Sequence, residues 1–142
     1  MILPTHQSQV VGPARADHEI LTVAMESAHR LLGGDRSPAA VEQFANIQNL
    51  ISEKIGEHFA YEEKQVFPLL IRENPSENVI QTVAELCREH TTLLTEAQRL
   101  SVKIQPIRLA DSTNELWVEI MEFFSDFYHH LSKENQLFKS CS

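Results

Sequence analysis

His58-Phe-Ala-Tyr-Glu62-Glu-Lys-Gln-Val-Phe67 and His130-Leu-Ser-Lys-Glu134-Asn-Gln-Leu-Phe138 are two versions of one phrase, the second a residue shorter. Each opens on His-x3-Glu. Residues four apart on a helix lie one turn apart on the same face, so each phrase offers a ring nitrogen and a carboxylate side by side. One such pair means little, because a chain with this many His and Glu yields about one by chance. The spacing means more. His58 to His130 and Glu62 to Glu134 are both steps of 72 residues, and the same step carries His18 to His90. The chain therefore reads as two copies of a helix pair, each with the pattern H-x39-H-x3-E.

Outward from these phrases, Gly and Pro cluster with other breakers and divide the chain into four segments. The first runs from about Pro13 to Leu32 and stops at Gly33-Gly34, where glycine would cap the helix. The second begins at Ser37-Pro38, a side-chain cap followed by proline at the first helical position, and reaches about Arg72, with a kink expected at Pro68. The third opens near Ser76 and ends before Pro106. The fourth opens at Ser112-Thr-Asn-Glu115, a capping box, and runs to about Lys139.

Apolar residues recur at steps of three and four throughout, and no stretch alternates as a half-buried strand would. The seams read Ala14, His18, Leu21, Met25, Ala28, Leu32; then Phe44, Ile47, Ile51, Ile55, His58, Glu62, Val66, Leu69. The third gives Val79, Val83, Leu86, His90, Leu93, Ala97, Leu100, Ile104, and the fourth Leu116, Ile120, Phe123, Phe127, His130, Glu134, Leu137. Four amphipathic helices with short loops predict an all-α, up-down-up-down four-helix bundle with an internal pseudo-twofold repeat.

The 142 residues suit one domain, with a core over about 13–139 and residues 1–12 as a tail. A net charge of −8 with interspersed signs leaves no basic stripe for nucleic acid. No apolar run is long enough for a membrane span, so no membrane contact is expected. Residues 1–13 lack the pattern of a signal peptide, and Cys87 and Cys141 make neither a CxxC nor a disulfide framework, which predicts the reducing cytoplasm.

His18, His58, Glu62, His90, His130 and Glu134 all fall on the interior seams. A buried carboxylate without a partner is costly, so something must pair with these groups. Four imidazoles and two carboxylates about one cavity suit two divalent metals, with Zn, Fe, Cu or Ni all compatible and each carboxylate able to bridge. At the fourth helix, the seam selects His130 over His129, which lies about 100° around the helix.

These residues, together with Glu89-His90 and the stretch from about Asp17 to Phe138, resemble the hemerythrin-like, or HHE cation-binding, family. The resemblance implies a four-helix bundle holding two Fe ions in an oxo- or hydroxo-bridged di-iron centre. It implies His18 and His130 on one iron, His58 and His90 on the other, and Glu62 and Glu134 as bridges. Oxygen-carrying hemerythrins have a fifth histidine one turn from the third-helix ligand; the corresponding positions here are Leu86 and Leu94. That likeness is to the bacterial four-His, two-Glu branch, and it implies binding or sensing of O2 or NO, or iron handling under oxidative or nitrosative stress. Alternatives are a di-iron enzyme reducing NO, peroxide or O2, an iron donor for iron–sulfur repair, and a structural zinc site; the redox partner is left open.

Tyr61 reads as an interfacial tyrosine beside the seam, Glu63 as solvated or paired with a lysine, and Cys87 as a small buried hydrophobe. Cys141 falls in a frayed tail. His6 and His29 read as surface residues. Gly56, costly by about 1 kcal/mol inside a helix, suggests a close helix approach.

Overall fold

Side-chain caps set where these helices begin. In the computed structural model, which describes residues 5–34, 37–104 and 114–142, Ser37 Oγ accepts the Ala40 N–H at 3.2 Å and Pro38 follows at the first helical position. Thr5 Oγ1 accepts the Ser8 N–H at 3.0 Å in the same way. The described helices are α1 (His6–Gly33), α2 (Pro38–Tyr61), a π-helical turn (Glu62–Val66), α3 (Phe67–Glu73), α4 (Glu77–Ile104) and α5 (Asn114–Cys141). No strand occurs among the described residues. With α2, the π turn and α3 acting as one long rod, the chain is the expected all-α four-helix bundle: α1 packs on α2, α2 on α4, α4 on α5, and α5 back on α1.

The first helix starts well before Pro13, so most of the expected tail is helical. Proline removes one backbone donor and normally breaks a helix interior, but tertiary contacts hold this turn on both sides. Gln7 Nε2 donates to the Cys141 carbonyl at 3.0 Å, Tyr61 donates its hydroxyl to the Val10 carbonyl at 2.6 Å, and Val11 and Ala14 are buried. The same contacts correct the reading of Cys141, which is 7% exposed and packed against the apolar end of the bundle. Gly34 ends α1 in an extended conformation, φ −97° and ψ −163°, and no described glycine has positive φ. The helix stops there without the left-handed cap that its glycines suggested. The start of the third segment holds as read: Ser76 Oγ accepts the Val79 N–H at 3.2 Å. Ser112, the cap expected for the last helix, lies outside the described residues.

The π turn explains the unequal length of the two phrases. The Phe67 N–H reaches back five residues to the Glu62 carbonyl, while the backbone keeps right-handed helical angles on both sides. One extra residue is thereby absorbed as a bulge, and the following residues keep their face. Pro68 sits at the start of α3 directly after this turn, so the irregularity expected there lies just upstream of the proline.

The interior has three layers. A large apolar cluster contains Leu21, Met25, Phe44, Ile51, Ile55, Leu100, Trp117 and Phe123, and a smaller one at the other end contains Val11, Val66, Leu70, Val83, Leu86 and Phe138. Buried polar residues lie between them in each helix's sequence. Two seam positions are corrected: Ile47 and Leu116 are only half-buried, and their neighbours Gln48, with neither amide atom partnered, and Trp117 are buried instead. Gly56 permits no special approach, since a Cβ there would meet only Leu94 Cδ1 at 3.9 Å.

Candidate metal centre

All six predicted residues, His18, His58, Glu62, His90, His130 and Glu134, are 4% exposed or less and converge on one point. Glu62 lies within 3.4 Å of Nε2 of His18, 3.2 Å of that of His58 and 3.1 Å of that of His90. Glu134 lies 3.3 Å from His18, 3.5 Å from His90 and 3.1 Å from His130, again at Nε2. Each carboxylate therefore faces imidazoles from both helical hairpins. The alternative fourth-helix residue, His129, is exposed.

Close as they are, most of these atoms do not pair with one another. Oε1 of Glu62, both carboxylate oxygens of Glu134, and Nε2 of His90 and His130 are buried without an aligned hydrogen-bond partner. Distance is satisfied and direction is not, which is the arrangement expected when lone pairs aim at common points between the side chains. The ligand atoms fall into two groups, His18, His58, Glu62 and Glu134, and Glu62, His90, His130 and Glu134, each with all its atoms within 4.8 Å of one another. Both groups share both carboxylates. The donors are nitrogen and oxygen only, and neither cysteine belongs to either group, so the set fits a pair of borderline divalent ions better than a soft thiolate site.

Three of the four outward-facing Nδ1 atoms are hydrogen-bonded. His58 donates to Asp17 at 3.2 Å, His130 to Glu89 at 2.8 Å, and His18 to Asn135 at 2.8 Å. Glu63 stands 3.4 Å from His90 Nδ1, off the line of a hydrogen bond. Lys54 ion-pairs with Asp17 at 2.8 Å and Lys133 with Glu89. Acceptors at Nδ1 put the ring proton there and leave the Nε2 lone pair free for a metal. Aromatic rings close the layer: Phe59 stacks on His90 at 3.8 Å between centroids, Phe67 on His90 at 5.6 Å, and Phe138 on His18 at 5.7 Å.

Electrostatics in the metal-free protein follow from this packing. Burial disfavours the imidazolium form, but the Glu134 and Glu62 carboxylates outweigh it and raise His18 and His90 to about 9 and His58 to about 10. Burial likewise opposes ionisation of Glu134, yet the side chains crowded around it, Glu62, His130, His18 and His58, hold it well below the usual carboxylate range. Without metal, protons therefore stand in for the cations.

A family model, the hemerythrin HHE cation binding domain, matches residues 14–141. The chain belongs to this family. No curated protein and no solved structure matches it significantly. The hemerythrin fold and the buried His/Glu cluster together indicate metal binding.

One expectation for this hemerythrin domain is corrected. The resemblance implied pairing His18 with His130 and His58 with His90, whereas the geometry groups His18 with His58 and His90 with His130. Nε2 of His18 and His58 are 3.1 Å apart, and the rings of His90 and His130 are 4.9 Å apart. Both pairings obey the 72-residue repeat, so the repeat could not choose between them. Helix adjacency does not choose either, since α2 also packs on α4 and α5 on α1; side-chain placement does, bringing the donor atoms of His18 and His58 into one group and those of His90 and His130 into the other.

The outer partners were missed, though the repeat held their signal. Asp17 and Glu89 each precede a candidate ligand, Glu63 and Asn135 each follow one, and both pairs are 72 residues apart. Applying the step to the neighbours of the ligands would have found all four. Leu86 is fully buried and Leu94 partly so, and neither can supply a fifth nitrogen. Tyr61 is the interfacial tyrosine expected, its hydroxyl spent on Val10. Cys87 is half-buried; burial and the nearby Glu63 raise its thiol to about 11, which keeps it protonated and unreactive.

Proposed function

We propose that this centre is a non-haem di-iron site that binds or senses O2 or NO, or holds iron, in the cytoplasm. The observation that carries the reading is the set of buried, unpaired lone pairs on Glu62, Glu134, His90 and His130, shared between two donor groups. His18 and His58 would hold one ion, His90 and His130 the other, and the two carboxylates would bridge. Two such ions supply reducing electrons and open coordination positions when bound.

The chain's own residues do the rest. Asp17, Glu89 and Asn135 orient three of the imidazoles through Nδ1. Phe59, Phe67 and Phe138 exclude water from their faces. Leu86 and Leu94, apolar at the positions where oxygen carriers have a histidine, offer no further nitrogen, so a bound ion would remain accessible to a small ligand or water. With every inward residue 4% exposed or less, only a ligand of a few atoms reaches the metals, which favours a diatomic gas over an organic substrate.

The test is reconstitution of metal-free protein with Fe2+ under anaerobic conditions, with metal analysis and near-ultraviolet spectra before and after air. Two irons per chain and new absorption on oxidation are expected. Uptake of zinc in preference to iron, with no spectral change in air, would make the centre a structural staple.

A further inference from the structure

We propose that Asn135 makes His18 the weak arm of the centre, so that the two ion positions fill in order, His90–His130 first and His18–His58 second. The inference rests on the two-ion reading above.

A carboxylate can only accept a hydrogen bond when ionised, so it forces the proton of a neighbouring imidazole onto the nitrogen that faces it. Asp17 and Glu89 do this for His58 and His130, and Lys54 and Lys133 keep both ionised and in place. Glu63 stands 3.4 Å from His90 Nδ1 off the line of a hydrogen bond, so it acts on that ring by its negative charge alone. Asn135 is different. Its side chain carries both an acceptor oxygen and a donor NH2 at nearly the same radius. With Oδ1 toward His18, as at 2.8 Å here, Nε2 is free for a metal. With the amide turned over, the NH2 donates to Nδ1, the ring proton moves to Nε2, and His18 ceases to be a ligand.

Among the described residues no second side chain holds the amide. Asn135 is exposed, and its bond to His18 is the one side-chain hydrogen bond it makes among the described residues. It also borders a surface groove of about 830 Å³ between α1 and α5, together with Arg15, His18, Glu19 and Lys139. Water in that groove can compete for both amide groups. The neutral amide further lacks the charge by which Asp17, Glu63 and Glu89 strengthen their imidazoles as donors. The His90–His130 group thus has two negative charges behind it, Glu89 through a hydrogen bond and Glu63 through proximity, and the His18–His58 group has one.

The experiment is a calorimetric and visible-absorption titration of the metal-free protein with Co2+. Repulsion between adjacent ions will separate two uptake steps whatever Asn135 does, so the decisive readings are which step each variant removes and how the separation responds. His18→Ala is expected to remove the weaker step and His90→Ala the tighter one. Asn135→Asp is expected to tighten the weaker step by at least about tenfold, the range in which outer-shell partners act on metal affinity, with the tighter step unmoved. Because residue 135 is exposed, helical circular dichroism should be unchanged, which separates a positioning role from a structural one. Equal loss of both steps in His18→Ala, or an unchanged weaker step in Asn135→Asp, overturns the inference while leaving the two-ion reading intact. Failure of the wild-type protein to take up any Co2+ overturns both.

Discussion

Phe67 lies over His90 with planes 20° apart, and Phe138 lies over His18 with planes 17° apart, yet the chain arrives at them by different routes. Nine positions separate His58 from Phe67 and eight separate His130 from Phe138. The first hairpin spends the surplus on the π turn at Glu62–Val66, and the second runs as an unbroken α-helix to Cys141. What is held constant between the halves is the side chain over the imidazole; the backbone path is what varies. The halves also diverge where the centre does not constrain them. Gln48 is buried where the repeat puts Ile120, and Gly56 stands where it puts Tyr128.

The largest effect expected from breaking the comparison is at its matched ligands. His58→Ala and His130→Ala should each lose at least one of the two metal ions, by elemental analysis, because each removes an inward nitrogen from one group. His129→Ala should keep both. A loss in His129→Ala with retention in His130→Ala would mean that α5 is rotated by about 100° from its described phase.

Next is the pH dependence of the metal-free protein. His18, His90 and His58 have folded pKa values raised to about 9, 9 and 10, above the ordinary value of 6.5. Their charge pairing with Glu62 and Glu134 is fully present below about pH 6.5 and is lost as pH rises through 9 to 10. Glu134 is depressed, so its contribution is present above its ordinary value of 4.5 and is lost as pH falls through its lowered folded value. Thermal melts should therefore show the metal-free protein losing stability at both extremes. Metal loading should flatten the alkaline limb, and loading itself should release protons and weaken on acidification. An alkaline limb identical with and without metal would show that protons and metal do not compete for these side chains.

A smaller effect is expected at Gln48. Replacing a buried side chain whose amide atoms lack partners by a leucine of similar size should stabilise the protein by about 1–2 kcal/mol in urea unfolding, making the first half resemble the second. Destabilisation by Gln48→Leu would reveal a partner for that amide, such as an internal water.

Deletion of Lys64, the residue with no counterpart in the second phrase, tests the π turn. The turn should relax to ordinary α-helix with Phe67 still over His90, metal binding retained and stability changed by no more than about 1 kcal/mol, since each absorbed residue exchanges one helical bonding pattern for another. Loss of metal in this variant would mean that the turn itself positions Glu62 or Glu63. Smallest is Gly56→Ala, expected to stabilise by about 0.5–1 kcal/mol, since the new methyl would meet Leu94 at an ordinary contact distance.

The sequence by itself determined the helices, their inward faces and the six converging residues, because helical periodicity is local and polar groups on an apolar seam are conspicuous. It also contained the π turn, as a one-residue mismatch between two related phrases, without stating how the backbone would absorb it. Tertiary structure alone decided three things. It chose which histidines share a group, since a repeat constrains symmetry and leaves contact open. It carried α1 through Pro13, because the bonds of Tyr61 to Val10 and Gln7 to Cys141 outweigh a local breaking signal. It also gave Asp17, Glu63, Glu89 and Asn135 their partners, since the 72-residue step marks these positions as equivalent but only the packing of another helix brings an imidazole within reach.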